Sequence, residues 1–126
     1  MLKLILARHG NTFEHHETPV MVGLTDMPLT PTGLSQARLL GAELVKSYPK
    51  IQAIYSGQAL RQKQTASEIS KHFNLDFQEQ NFLNEIDYGL WEGLTTHEIE
   101  DRWPIDYRAW TQYAKFNPNI FGKELS

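Results

Sequence analysis

Residues 51–77 read IQAIYSGQALRQKQTASEISKHFNLDF. The run Ile51 to Tyr55 has the length and the branched and aromatic content of a strand. Ser56-Gly57 breaks it. From there to about Phe73, apolar residues recur at helical spacing, with Ala66, Ile69 and Phe73 on one stripe. Leu75 and Phe77 then alternate with polar residues, the period of another short strand. Strand, helix and strand in that order predict two parallel strands joined by a crossover helix.

Towards the N-terminus, Thr30-Pro31 opens an earlier helix. Thr30 suits the cap, and Pro31 suits the first helical position, where a missing N–H costs nothing. Leu34, Ala37, Leu40, Gly41, Leu44 and Val45 share one face, and Tyr48-Pro49 stops the helix. Before it lie residues 8–29, without helical or strand period, a long loop of the kind that often carries function. The chain starts with Leu2 to Ala7, LKLILA, which reads as a short and largely buried strand.

Towards the C-terminus, residues 80–94 read as a second loop. Thr95 with Glu98 three residues on forms a capping box for a short helix to Trp103. Pro104 starts a further helix carrying Tyr107, Trp110 and Ala114, and from Asn117 no pattern is clear. The expected fold class is α/β: a three-layer α/β/α arrangement with a mainly parallel sheet, in one domain over residues 1–126.

Composition narrows the function. Apolar residues are 40% and charged residues 21%, an ordinary globular balance. A net charge of -3 argues against a broad nucleic-acid surface. The absence of cysteine excludes disulfides, thiol nucleophiles and cysteine metal sites. The apolar run Leu4 to Ala7 is too short for a signal peptide or a membrane span. A soluble, cytoplasmic protein with no nucleic-acid or membrane partner is expected.

Ligands of parallel sheets sit at the carboxyl ends of strands. Arg8-His9-Gly10 lies at such an end, as do Ser56 and Gly57, with Arg61 one helical turn further on. Two guanidinium forks match the oxygens of a phosphate dianion. An imidazole among them can take the phosphoryl group as a nucleophile. The two cations disfavour protonation of His9 and keep it nucleophilic. Gly10 lets the backbone approach a ligand, and Asn11 and Thr12 add neutral donors. The plain alternative is a satisfied histidine with two surface arginines.

Other polar residues carry less. His15 and His16 beside Glu17 invite a metal reading. Neighbouring side chains in an extended segment point opposite ways, so no metal site is expected and both histidines are placed at the pocket rim. His72 and His97 are expected at the surface, and Trp91, Trp103 and Trp110 in helix packing.

Arg8-His9-Gly10 is joined by three further segments: GLTDMPLTPTGLSQA (23–37), IYSGQALRQKQTA (54–66) and LNEIDYGLWEG (83–93). Together, in this order and spacing, they resemble the histidine phosphatase superfamily, the phosphoglycerate mutase-like group. The last segment is most similar to the branch of alpha-ribazole phosphatase and fructose-bisphosphatase type.

The resemblance implies a phosphoglycerate mutase-like fold and phosphomonoester hydrolysis through a phosphohistidine on His9. It implies a phosphate clamp of Arg8 and Arg61, and Glu85 as the general acid. It counts Gly23 with Arg8, Asn11, Thr12 and Arg61 among the phosphate-binding residues. It implies no metal and no cofactor, and a small phosphorylated metabolite as substrate.

The family pattern includes a second histidine in a Ser-His-Gly-like segment, and no residue matches it. FGKELS at the end resembles what precedes that segment, so the chain is expected to lack the family's C-terminal third. The strand Leu2–Ala7 then loses a neighbour. The expectations are that it pairs directly with the strand ending at Tyr55, that another chain, as in a homodimer, covers the incomplete sheet, or that the chain is a fragment of a longer gene product. The competing functional reading is a degenerate or truncated member that binds phosphate or a partner with little turnover.

Overall fold

A computed structural model describes residues 2–116. In chain order the elements are α1 (Pro31–Ser47), β1 (Ile54–Ser56), α2 (Leu60–Phe73), β2 (Phe77–Glu79), α3 (Thr96–Arg102) and α4 (Pro104–Phe116). Single 3-10 turns occupy Asn81–Leu83 and Gly89–Trp91. The chain forms two compact units, Met1–Glu14 with Met27–Asn84, and His15–Asp26 with Glu85–Ser126.

The first unit contains the expected strand–helix–strand crossover. β1 and β2 run parallel, with Ile54 opposite Phe77, Tyr55 opposite Gln78 and Ser56 opposite Glu79. Each strand has three residues, so Ile51–Ala53 and Leu75 precede the ladder instead of joining it. α2 ends where Asn74 turns left-handed, φ 56°, a conformation asparagine tolerates better than most residues.

α1 begins as the sequence predicts, with the Thr30 hydroxyl accepting the Gly33 N–H at 3.0 Å and Pro31 in the first turn. Its deepest residues are Gly33, Ala37 and Gly41, while Leu34, Leu40, Leu44 and Val45 are half-buried. Small residues four apart let α1 lie close to α2. A Cβ on Gly41 would run into the His72 ring and the Ile69 backbone. Leu29, Ala37, Ala66 and Ile69 make the apolar centre of this unit.

The expected first strand does not form. Residues 2–7 pair with no other described segment, so neither the ladder nor the direct pairing with β1 is present. Leu2, Leu4 and Leu6 are 93%, 75% and 81% exposed. The alternation in LKLILA puts three leucines on one side, as in a strand. A ladder, however, needs a neighbour for its N–H and C=O groups, and none is in place among the described residues.

In the second unit, Met21 forms a bridge to the 92–94 segment. Its N–H donates to the Leu94 carbonyl at 2.9 Å, and the Gly93 N–H donates to the Met21 carbonyl at 2.9 Å. The capping box of α3 is present: the Glu98 N–H donates to Thr95 Oγ1 at 3.1 Å, and the Thr95 N–H to Glu98 Oε1 at 3.2 Å. Ile99 is buried behind it. Trp91, Tyr107 and Trp110 meet with ring centroids 5.8–6.2 Å apart, the packing role expected of these tryptophans. α4 runs past Ala114 as expected, and the reading of residues from Asn117 onward falls outside the described residues. No described helix is long and apolar enough to cross a membrane.

These burials make a stability prediction. Ile69→Ala is expected to cost about 2–5 kcal/mol in urea unfolding, the range for emptying a packed site. Leu6→Ser is expected to cost less than about 0.5 kcal/mol, because Leu6 is out in solvent. A large loss at Leu6 would show that residues 2–7 are covered in solution.

Candidate active site

The loop after residue 7 is fixed to both helices of the first unit. The Gly10 N–H donates to Thr65 Oγ1 at 3.1 Å, and that hydroxyl donates to the Arg61 carbonyl at 2.8 Å. The Asn11 N–H donates to Gln36 Oε1 at 2.9 Å, and the Asn11 carbonyl accepts the Thr30 N–H at 3.0 Å. Further on, the Leu29 N–H donates to Gln64 Oε1 at 2.7 Å. Side chains of α1 and α2 thus supply the acceptors that a strand partner would supply in a sheet.

The closest approach is between two glycines. A Cβ on Gly10 would meet the Gly33 carbonyl, and one on Gly33 would meet the Asn11 carbonyl. Gly10 was expected to let backbone near a ligand; what it permits here is backbone on backbone. Glu14 completes the attachment. Its carboxylate accepts the Thr32 hydroxyl at 2.6 Å and the Thr32 N–H at 3.2 Å, a favourable charge at a helix start.

His9 is half-buried on this framework. Its Nδ1 lies 2.7 Å from the Gly10 carbonyl oxygen. A carbonyl can only accept, so Nδ1 carries the proton and the lone pair of the neutral ring is on Nε2. Arg61, in the first turn of α2, is 1% exposed. A buried guanidinium is costly to place, and its field is poorly screened. Arg8 is exposed and Thr12 half-buried.

The expected site residues divide between the units. Arg8, His9, Asn11, Thr12 and Arg61 belong to the first; Gly23 and Glu85 belong to the second. Glu85 is half-buried, and its Oε1 accepts the Ile86 N–H at 3.1 Å. Gly23 is buried, and its N–H goes to Glu92 Oε1 at 2.6 Å. A Cβ there would strike the Ile86 carbonyl and the Glu92 carboxylate, which accounts for the glycine.

His15 and His16 depart from expectation. They lie in a turn, not an extended segment, and their rings meet edge-on 5.6 Å apart. His97 is exposed and faces Asp101 at 3.5 Å on the same helix. His72 is exposed as expected, although its ring covers Gly41.

Sequence reasoning missed Thr65, Gln36, Gln64, Glu14, Gly33 and Glu92. Only Thr65 left a signal, a hydroxyl beside Ala66 on the buried side of α2. The amides and carboxylates act across loops, where no local period marks them.

A half-buried imidazole bonded to the Gly10 carbonyl and a buried arginine in α2 lie in the unit that carries the parallel crossover, an α/β arrangement. The chain belongs to the Histidine phosphatase superfamily (branch 1), which residues 4–124 match. It is 36% identical to phosphoserine phosphatase 1 of Hydrogenobacter thermophilus over 112 residues, 89% of this chain and 52% of the relative. It is 31% identical to a 2,3-bisphosphoglycerate-dependent phosphoglycerate mutase of Rhizobium etli, over 84% of this chain and 52% of the relative. A mycobacterial glucosyl-3-phosphoglycerate phosphatase complexed with VO3 superposes with a TM-score of 0.73 and 28% identity, over 81% of this chain and 49% of its own. The chain spans about half the length of these relatives.

Thr65→Val keeps the shape of the side chain but removes the acceptor for the Gly10 N–H. The expected cost is about 1–3 kcal/mol of stability, the penalty for a buried donor left without a partner. The change should appear in urea unfolding and as faster exchange of the Gly10 amide. An unchanged Gly10 amide would show that Thr65 does not hold the loop.

Proposed function

We propose that this chain hydrolyses phosphomonoesters of small metabolites through a phosphohistidine on His9. The observation that carries the reading is the bond from His9 Nδ1 to the Gly10 carbonyl. It leaves Nε2 as the nucleophilic atom and braces the positive ring that forms after attack.

In the first step the Nε2 lone pair attacks phosphorus. A P–N bond forms, the ester P–O bond breaks, and the leaving oxygen takes a proton from Glu85, the general acid by family resemblance. In the second step water attacks phosphorus and gives its proton to the Glu85 carboxylate. The P–N bond breaks and its electrons return to Nε2. Arg61 and Arg8 bind the phosphoryl oxygens and balance their charge as it grows. Asn11, Thr12 and the segment at Gly23 complete phosphate binding in this reading. The reaction draws on side chains alone, with no metal or organic cofactor in it.

The test is hydrolysis of an aryl phosphate by the purified chain with chelator present, beside His9→Ala. Turnover is expected from the unaltered chain, and none above background from the variant. Arg61→Ala should lower kcat/KM by about 10²–10³, the scale for one preorganised charge donor. Quenching during turnover should trap acid-labile phosphate on His9. Binding of inorganic phosphate without turnover would instead support a module that binds and does not hydrolyse.

A further inference from the structure

We propose that Glu92 is a positioning residue whose carboxylate locks the backbone of Gly23–Thr25 and sets how that segment meets substrate. The link to substrate rests on the phosphatase reading; the lock rests on the geometry of the second unit alone.

Glu92 Oε1 accepts the Gly23 N–H at 2.6 Å and the Leu24 N–H at 2.9 Å, and Oε2 accepts the Thr25 hydroxyl at 2.7 Å. Successive backbone N–H groups turned to one point form an anion cradle. Here the anion in it is the protein's own carboxylate. The two Met21 bonds to Gly93 and Leu94 add a second tie, so residues 21–25 are attached to 92–94 at both ends.

The shape of the contact agrees. A side chain on Gly23 would collide with Glu92, Ile86 and Tyr88, so only glycine lets the cradle close. The Glu92 carboxyl is drawn upward by burial, but its bonds to Thr25, Leu24 and Gly23 outweigh this and hold it below its ordinary range. The latch is therefore ionised at neutral pH, and its bonds are of the strong, charge-assisted kind.

The segment it holds has an unusual combination of features. Leu24, Thr25 and Asp26 are exposed, yet the Leu24 N–H and the Thr25 hydroxyl are both tied down. Exposed loop backbone is ordinarily the most easily opened part of a fold. A locked backbone that presents exposed side chains suits recognition, because the order is in place before binding. With its N–H given to Glu92, Gly23 serves a ligand through its place in the segment and not as a donor. The Glu92 oxygens are given to Gly23, Leu24 and Thr25, so its loss is expected to act on KM and little on kcat.

The experiment compares the full chain with Glu92→Ala and Glu92→Gln. In Glu92→Ala, exchange of the Gly23 and Leu24 amides should quicken by about tenfold or more, as opening of the loop becomes easier. KM for an aryl phosphate should rise by about tenfold with kcat within about threefold. Glu92→Gln keeps a carbonyl acceptor for both amides and should restore most of the effect, as should sodium acetate added to Glu92→Ala.

Unchanged amide exchange would overturn the lock. Faster exchange with unchanged KM would overturn its link to substrate. A loss that glutamine does not rescue, together with a lower Tm, would reduce Glu92 to a fold-maintaining residue and also overturn the proposal. Absence of turnover in the unaltered chain defeats only the phosphatase reading. Titration with inorganic phosphate then decides the link to ligand: weaker binding by Glu92→Ala supports it, and equal binding overturns it.

Discussion

The position of His9 depends on the crossing of Gly10 over Gly33. Two backbones meet there without a Cβ between them. The approach is close enough for the Gly10 N–H to reach Thr65 on α2 while Asn11 bonds to Thr30 and Gln36 at the start of α1. His9 precedes this crossing by one residue, and its ring is fixed by the carbonyl of Gly10 itself. A side chain at either glycine would push the loop outward and move the imidazole with it. The glycines thus set the place of the imidazole through the geometry of the main chain.

Arg61 answers a different constraint. A cation under a surface of protein is disfavoured unless the site gains from its charge, and a well-packed apolar residue would cost less. Its place in the first turn of α2 puts it one turn before Thr65, which holds the Gly10 amide. One helix therefore carries both the anchor of the His9 loop and a buried cation. Arg8 is exposed and its charge is shared with solvent, so the two arginines of the expected clamp are not equivalent.

Local patterns were readable, and contacts across the chain were not. The starts of α1 and α3 follow from Thr30-Pro31 and from Thr95 with Glu98, because a cap involves neighbours in sequence. The parallel pairing of β1 and β2 follows from the order of strand, helix and strand. Leu2–Ala7 shows the limit. Its alternation is a property of six residues, whereas a ladder is a property of two segments, and the second is not in place among the described residues. The same distinction separates the site residues. His9 and Arg61 stand in recognisable motifs, while Thr65, Gln36 and Glu92 gain their meaning from partners 25 to 69 positions away.

Both long loops are closed by carboxylates, and the chemistry explains the choice. Each loop leaves backbone N–H groups that no helix or strand satisfies. A carbonyl or amide oxygen can take one or two of them, but a carboxylate offers more lone pairs and a full charge. Glu14 uses this at the start of α1, binding both donors of Thr32. Glu92 uses it on three consecutive residues, 23 to 25. In a protein whose expected ligand is an anion, acidic side chains near candidate binding segments would repel it if they stood open. With their oxygens turned onto N–H and O–H donors of the chain, these carboxylates keep their charge but direct their lone pairs into the fold. The shape of the loops is thereby set by the same residues that satisfy their donors.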